Sequence, residues 1–416
     1  MKIATSTCCI TPEKKVTLGC NGYNFMPFES IDSDIEINAI RLMQNNTNVL
    51  IISVDTLFVT NEIKMFAIDH LKDKLPLNED QVFIAASHTH YAPFLDASKP
   101  NLGSVDDEYM VFFKSQLSLL LDNLVQAELI ECDLIYGESE SDGVSVGRRK
   151  YAWGFWKRFI LTKSMRIFPN SKTPIDSTVR TFKFIDKRTG KPVAILWNFA
   201  CHPVMYHNPK HITAHFPGDV REEIREILGD IPVMFLQGFS GDIRPFNTGG
   251  SSLKEKFLGI LNKESGFKTF SDASYGQWVK KITGNVIGCI NNKKSQIKDL
   301  ALRVNLTKCS TKQFVEGSDQ PVIFQSIELS GEHIILGVSA EVVSKYALEL
   351  QKIYPNKTMI PVGCVGTVFG YWPTKEMLKE GGYEVNNFKK GFSFKGDFNK
   401  EAIENVFFES IKKIIK

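Results

Sequence analysis

Two apolar runs in this chain each end in histidine, and this arrangement constrains the fold more than any other feature of the sequence. Val82-Phe83-Ile84-Ala85-Ala86 leads into Ser87-His88-Thr89-His90-Tyr91-Ala92-Pro93, and Val193-Ala194-Ile195-Leu196-Trp197 leads into Asn198-Phe199-Ala200-Cys201-His202-Pro203. Short apolar runs of this kind read as buried strands. Strands that deliver polar side chains to the loops at their ends are how α/β proteins build sites. If strand alternation continues past Ala86, His88 and His90 share one face. Two neighbouring imidazoles suggest a metal or proton-transfer centre, although one packed histidine beside one loop-bonded histidine gives the same pattern.

The surrounding signals fit an α/β chain with a mixed β-sheet core flanked by helices. Residues 36–44 and 49–55 read as a hairpin around Asn45-Asn46-Thr47-Asn48. Helical spacing appears over 61–75, and a longer amphipathic helix over 106–128 opens on Asp106-Asp107, which suits a positive helix N-terminus. Residues 178–185 and 192–199 form a second hairpin, the strand that delivers His202 being its second arm. Pro217 sits at the start of a helix running to about Leu228. A strand over 233–236 then leads into Gln237-Gly238-Phe239-Ser240-Gly241-Asp242-Ile243-Arg244-Pro245, whose glycines let backbone approach a ligand closely. After an exposed lysine-rich stretch come a helix near 271–289 and a hairpin over 322–329 and 333–338. Glu341 then opens a helix over 342–353, a place where a carboxylate ordinarily serves the helix dipole. Tyr371 and Tyr383 sit among loop-forming residues, and 399–416 reads as a terminal amphipathic helix.

Between 148 and 166, Arg148, Arg149, Lys150, Lys157, Arg158, Lys163 and Arg166 interleave with Tyr151, Trp153, Phe155, Trp156 and Phe159. Such a segment suits a lid, an oligomer contact, a peripheral membrane contact, or a surface loop with its aromatics tucked inward.

Charge excludes some partners. The 416 residues carry 50 basic and 47 acidic side chains, a formal net charge of +3, so nothing points to nucleic acid. The 8 cysteines lack C-x-x-C spacing, which argues against a cysteine zinc module and for reduced core residues. With no apolar leader and no run long enough to span a bilayer, the expected location is cytoplasmic. Absence of a repeat or a linker favours one domain over residues 1–416.

The motifs, in order, resemble the catalytic domain of the neutral (alkaline, non-lysosomal) ceramidases. Ser87-His88-Thr89-His90 looks like that family's S-x-T-H-T-H-S-G-P region, and Asn198-Phe199-Ala200-Cys201-His202-Pro203 like its N-x-A-x-H-P motif. Phe216-Pro217-Gly218 is similar to its F-P-G, Gly241-Asp242-Ile243-Arg244-Pro245 to its G-D-V-S-P-N loop, and Tyr371 with Tyr383-Glu384 to its Y…Y-E pair. The resemblance implies a catalytic zinc held by His88, His202, Glu341 and Tyr371, with His90, Arg148 and Tyr383 around a substrate amide. It implies a zinc amidohydrolase in which zinc-activated water attacks an N-acyl bond, releasing a free acid and an amine. Gly241, Asp242 and Arg244 fall in the substrate-binding loop.

The sequence also departs from the family. Arg244 stands where the loop carries Ser, and favours an anionic substrate group such as carboxylate or phosphate. His215 replaces the Asp that commonly precedes F-P-G, and Tyr91-Ala92-Pro93 replaces S-G-P. The match stops short of the family's C-terminal immunoglobulin-like domain. A deacylase of a soluble anionic N-acyl compound, such as an amino sugar or nucleotide-sugar, is therefore an alternative to a ceramidase. A non-catalytic binding protein on the same fold is a second, and an ester or phosphoester hydrolase a third.

Overall fold

The computed structural model describes residues 1–20, 25–156, 160–250, 252–291 and 295–415. The apolar runs become strands of one large mixed sheet. From one edge to the other its order is Val233–Gln237, Pro192–Phe199, Thr178–Asp186, Ile130–Glu140, Lys2–Cys9, Glu36–Gln44, Thr47–Val54 and Val82–Ala86. The outermost pair at each end is parallel. The pairs between them are antiparallel. Asn45 and Asn46, at φ 47° and 65°, make the tight turn between Glu36–Gln44 and Thr47–Val54, as asparagine does most readily among residues with a Cβ.

A second sheet, in the order Leu300–Ser310, Pro321–Ser330, His333–Val338 and Thr358–Val362, packs on the first. Alternation along each strand shows how. Phe83, Ala85, Leu196 and Leu236 meet Ile327, Ile335, Ile360 and Val362 in a core between the sheets. Val82, Ile84 and Ala86 face outward onto helices Asn61–Leu71 and Asp107–Gln126. Trp197, Phe199 and Phe235 face helices Phe216–Leu228 and Asp272–Asn291. Helices Lys345–Ile353 and Ile403–Ile414 cover the second sheet, which completes four layers, helix, sheet, sheet, helix. Both faces of Val82–Ala86 and Val233–Gln237, and of most of Pro192–Phe199, are therefore buried, which is why these sequences run apolar without a polar phase, whereas Ile130–Glu140 and Lys2–Cys9 in the middle of the order keep partly exposed polar positions.

Twist accumulates across so many strands, and the large sheet curls until its ends meet. Ser53 Oγ donates to the Phe235 carbonyl across the gap at 2.6 Å. The chain leaving Thr358–Val362 fills the seam: Gly363 N donates to Gln237 O at 2.9 Å, and Gly366 N to Ile84 O at 3.1 Å. The loops after Val82–Ala86, Pro192–Phe199 and Val233–Gln237 are brought together at this seam.

Two expectations change. Glu341 does not open a helix; Glu341–Val342 is a short strand paired in parallel with Tyr371–Trp372, in register Glu341 to Tyr371, and the helix begins at Lys345. The backbone pairing sets this carboxylate beside the tyrosine. The aromatic and basic segment is no loop but a hairpin, Ser145–Trp156 with Ile160–Asn170, carrying Ile243–Pro245 on its edge. Lys157, Arg158 and Phe159 lie outside the described residues. The lysine-rich stretch contains helix Leu253–Asn262, which packs beside the hairpin through Asn262 and Trp153 and exposes Leu253 and Ile260 at 87% and 78%. All eight cysteines are free thiols. Among the described residues no helix is long and apolar enough to cross a membrane.

Candidate metal centre and cleft

The strand Val82–Ala86 ends before the histidines, so alternation is not what groups them. His88 takes φ 66°, a left-handed turn that swings the chain and brings the His88 and His90 rings to 5.1 Å between centroids. His202 closes the group, 4.9 Å from His88 and 6.0 Å from His90. Each ring is tethered through Nδ1 to a backbone carbonyl: His88 to Leu57 at 3.0 Å, His90 to Cys20 at 2.8 Å and His202 to Ile243 at 3.0 Å. A carbonyl oxygen can only accept, so Nδ1 carries a proton in each ring and Nε2 is the nitrogen turned toward the cluster.

The ligand atoms of these three histidines lie within 4.8 Å of one another. Nε2 of His88 and of His90 is buried without a hydrogen-bond partner. Glu341 Oε2 stands 3.2 Å from His202 Nε2 and 3.6 Å from His88 Nε2. Burial, with the other two imidazoles beside it, holds His90 well below the usual histidine range. Burial and the Arg148 guanidinium push His202 down to about 3. Burial works against the Glu341 charge, but His88 and His202 outweigh it and hold the carboxyl well below the carboxylate range. Burial works against a charge on His88, but Cys364 and Glu341 outweigh it and hold this ring well above the usual histidine range. Imidazoles tethered at Nδ1 beside a carboxylate are the donor set of a catalytic divalent metal site, so these residues fit a metal ion.

A second wall stands against this cluster. Arg148, fully buried, donates from Nε to Glu384 Oε1 at 2.9 Å and from Nη2 to Tyr371 Oη at 3.1 Å, and its Nη1 lies 3.3 Å from His202 Nε2. Arg149 pairs with the other oxygen of Glu384 and with Glu380 at 3.0 Å. Gly381 and Gly382, at φ 70° and 97°, turn the chain so that Tyr383 and Glu384 fold back onto the arginines; a Cβ at Gly382 would sit 2.9 Å from Arg149 Nη1. The Tyr383 ring lies 5.4 Å from Arg148 Cζ.

The glycine loop divides into support and lining. A Cβ on Gly241 would lie 2.7 Å from the Glu341 carbonyl, so glycine is what lets this loop pack against the Glu341 strand. Asp242 accepts from Ser344 N at 2.7 Å, and its carbonyl accepts from Arg148 N at 2.8 Å. Arg244 lines the cleft. That cleft, about 490 Å³, has His90, His202, Arg148, Arg244, Tyr371 and Tyr383 in its walls. His215 is buried outside the metal cluster and stacks on Tyr91 at 5.6 Å. The tertiary fold thus brings His88, His90, His202, Glu341, Tyr371, Arg148, Tyr383 and Arg244 to one place. Glu384 and Arg149 carried no role in the sequence; two adjacent arginines within one strand, Ser145–Trp156, were the signal that a carboxylate must answer them.

Burial also pushes the Asp242 carboxyl up, from an ordinary 3.8 to about 6. The folded state therefore binds this proton more tightly than the unfolded chain, so the charge costs stability above about pH 6 and the cost fades as pH falls toward 3.8. Asp242→Asn keeps an acceptor for Ser344 and removes the charge. Its stability relative to wild type is expected to be about 2 kcal/mol more favourable at about pH 8 than at about pH 4.5, measured by urea unfolding at both.

No family model matches the sequence, and no curated protein matches it. Among solved structures, the neutral ceramidase from Pseudomonas aeruginosa superposes with a TM-score of 0.73 at 13% identity, over 98% of this chain and 73% of that one. A ceramidase complexed with C2 gives a TM-score of 0.72 at 12% identity, over 98% of this chain and 74% of that one. The chain has the fold of the neutral ceramidases, as its ordered motifs implied.

Proposed function

We propose that this chain is a zinc-dependent amide hydrolase of the ceramidase kind, which splits an N-acyl bond into a free acid and an amine. The observation that carries this reading is the convergence of three imidazoles, each tethered through Nδ1, beside the buried Glu341, with His90 and His202 in the wall of a cleft. In it His88, His202 and Glu341 would hold the ion together with Tyr371, and His90 would face the substrate beside them. A bound zinc ion lowers the pKa of a water molecule toward neutrality and polarises a carbonyl oxygen. Arg148, held by Glu384, keeps a fixed positive charge next to the cluster, where negative charge develops on the acyl oxygen; because the ion pair already orients it, little reorganisation is needed during reaction. Burial pushes the Tyr383 hydroxyl up to about 12, so it stays protonated and serves as a donor to that oxygen. His90, neutral and with Nε2 free, takes up a proton and passes it to the leaving amine.

Purified protein is expected to hold about one zinc per chain and to release amine from N-acyl compounds, with activity lost to a chelator and restored by zinc. Metal-replete protein that releases no amine from N-acyl lipids, amino acids or amino sugars overturns the reading.

A further inference from the structure

The buried arginines around this cleft and sheet are answered by carboxylates. Arg148 and Arg149 share Glu384, Arg180 is held by Asp176, and Arg221 by Asp55. Arg244 differs. Its guanidinium lines the cleft, and its Nε is buried without a hydrogen-bond partner. Among the described residues it makes no ion pair and no side-chain hydrogen bond. The residues outside the description contain no Asp or Glu, so no side-chain carboxylate remains in the chain to answer it. Phe267 lies 5.7 Å from its Cζ, a flat surface that leaves the N–H edge of the guanidinium open. Its backbone is fixed in Ile243–Pro245, in register with Val146 on the strand that also carries Arg148. Burial and the nearby Arg148 charge draw its pKa down to about 10, which still leaves it a cation at neutral pH.

A partly buried cation kept without an internal partner is a poor structural element, because its desolvation is not offset. In a cleft it is a preformed receptor for an anion. Building on the hydrolase reading, we propose that Arg244 is an anion-recognition subsite: the substrate carries a carboxylate or phosphate, separate from the bond that is cut, and this group supplies the missing partner. Arg148 cannot take that part, since Glu384 and Tyr371 already occupy its Nε and Nη2.

The test reads binding rather than turnover, on protein as purified. Sulfonamide analogues that are not hydrolysed serve as probes: N-(hexylsulfonyl)glycine, N-(hexylsulfonyl)phosphoethanolamine and the neutral N-(hexylsulfonyl)ethanolamine, titrated by calorimetry. Wild type is expected to bind at least one anion about tenfold or more tightly than the neutral analogue. Arg244→Gln is expected to bring the affinities within about threefold, and Arg244→Lys to retain part of the preference. Which arm wins distinguishes carboxylate from phosphate. Arg244→Gln should melt no lower than wild type, because it removes a charge with no partner. Equal affinity of wild type for charged and neutral probes, a preference that survives Arg244→Gln, or a lower melting temperature for that variant each overturns the subsite. Anion preference without amine release from any substrate refutes the hydrolase reading and leaves the subsite standing; amine release without anion preference refutes the subsite alone.

Discussion

Replacing His202 by alanine is expected to strip the protein of its metal and to lower amide hydrolysis by about a thousandfold or more. This nitrogen is where the two halves of the site touch. His202 Nε2 lies 3.2 Å from Glu341 Oε2 and 3.3 Å from Arg148 Nη1. Without the ring, one proposed ligand is gone, and the Glu341 carboxylate is left facing the Arg148 guanidinium, an attraction that favours closing the proposed metal position with an ion pair. Metal content of dialysed protein, measured beside the rate of amine release, checks both effects. Full zinc retention in His202→Ala would refute the ligand assignment. His90→Ala is the companion measurement: a proton-transfer role leaves the zinc in place and lowers kcat.

The second large effect belongs to a residue that touches neither metal nor cleft. Glu384 is almost completely buried and accepts from both Arg148 and Arg149. Burial works against its charge, but the two guanidinium groups outweigh it and hold its carboxyl below the usual range. Truncation to alanine leaves two buried cations facing one another, and breaking a buried pair in this way costs about 3–5 kcal/mol. Urea unfolding of Glu384→Ala is expected to show a loss of that size. A loss under about 1 kcal/mol would mean that water or a neighbour takes the place of the carboxylate. Glu384→Gln separates stability from chemistry: it fills the space without the charge. With Arg148 no longer held against Tyr371, kcat is expected to fall by about a hundredfold, while zinc content stays unchanged.

Much of this could be read along the chain. The strands Val82–Ala86, Pro192–Phe199, Val233–Gln237 and His333–Val338 stand where their apolar runs placed them, and Asn45-Asn46 makes the expected turn. Helix starts were marked by Asp106 and Pro217, whose local chemistry acts within one turn. The reading failed where a residue's partner comes from far away. Glu341 looked like a first-turn carboxylate because its own neighbours favour a helix; pairing with Tyr371–Trp372, which no local pattern announces, holds it in a strand. For the 148–166 segment a surface loop was one of several readings, because its charged and aromatic side chains alternate; the alternation belongs to a two-faced hairpin, with Arg148 and Arg149 inside at its base.

By itself the sequence determined the strongly apolar strands, several helices and most of the residues that could do chemistry, because these depend on side-chain type and short-range periodicity; the partly exposed strands Lys2–Cys9 and Ile130–Glu140, whose apolar pattern is weak, went unread. Tertiary structure decided how they meet. Curling of the large sheet brought its ends to one seam, where Gly363 and Gly366 bridge Gln237 and Ile84. The left-handed turn at His88, rather than strand alternation, grouped its ring with that of His90. Three backbone carbonyls, invisible in any motif, fixed which nitrogen of each imidazole faces the cluster. Whether a charge is answered or left open is likewise a property of distance. Arg148 and Arg244 are both arginines in the cleft wall, and only packing gave the first a carboxylate and left the second to the substrate.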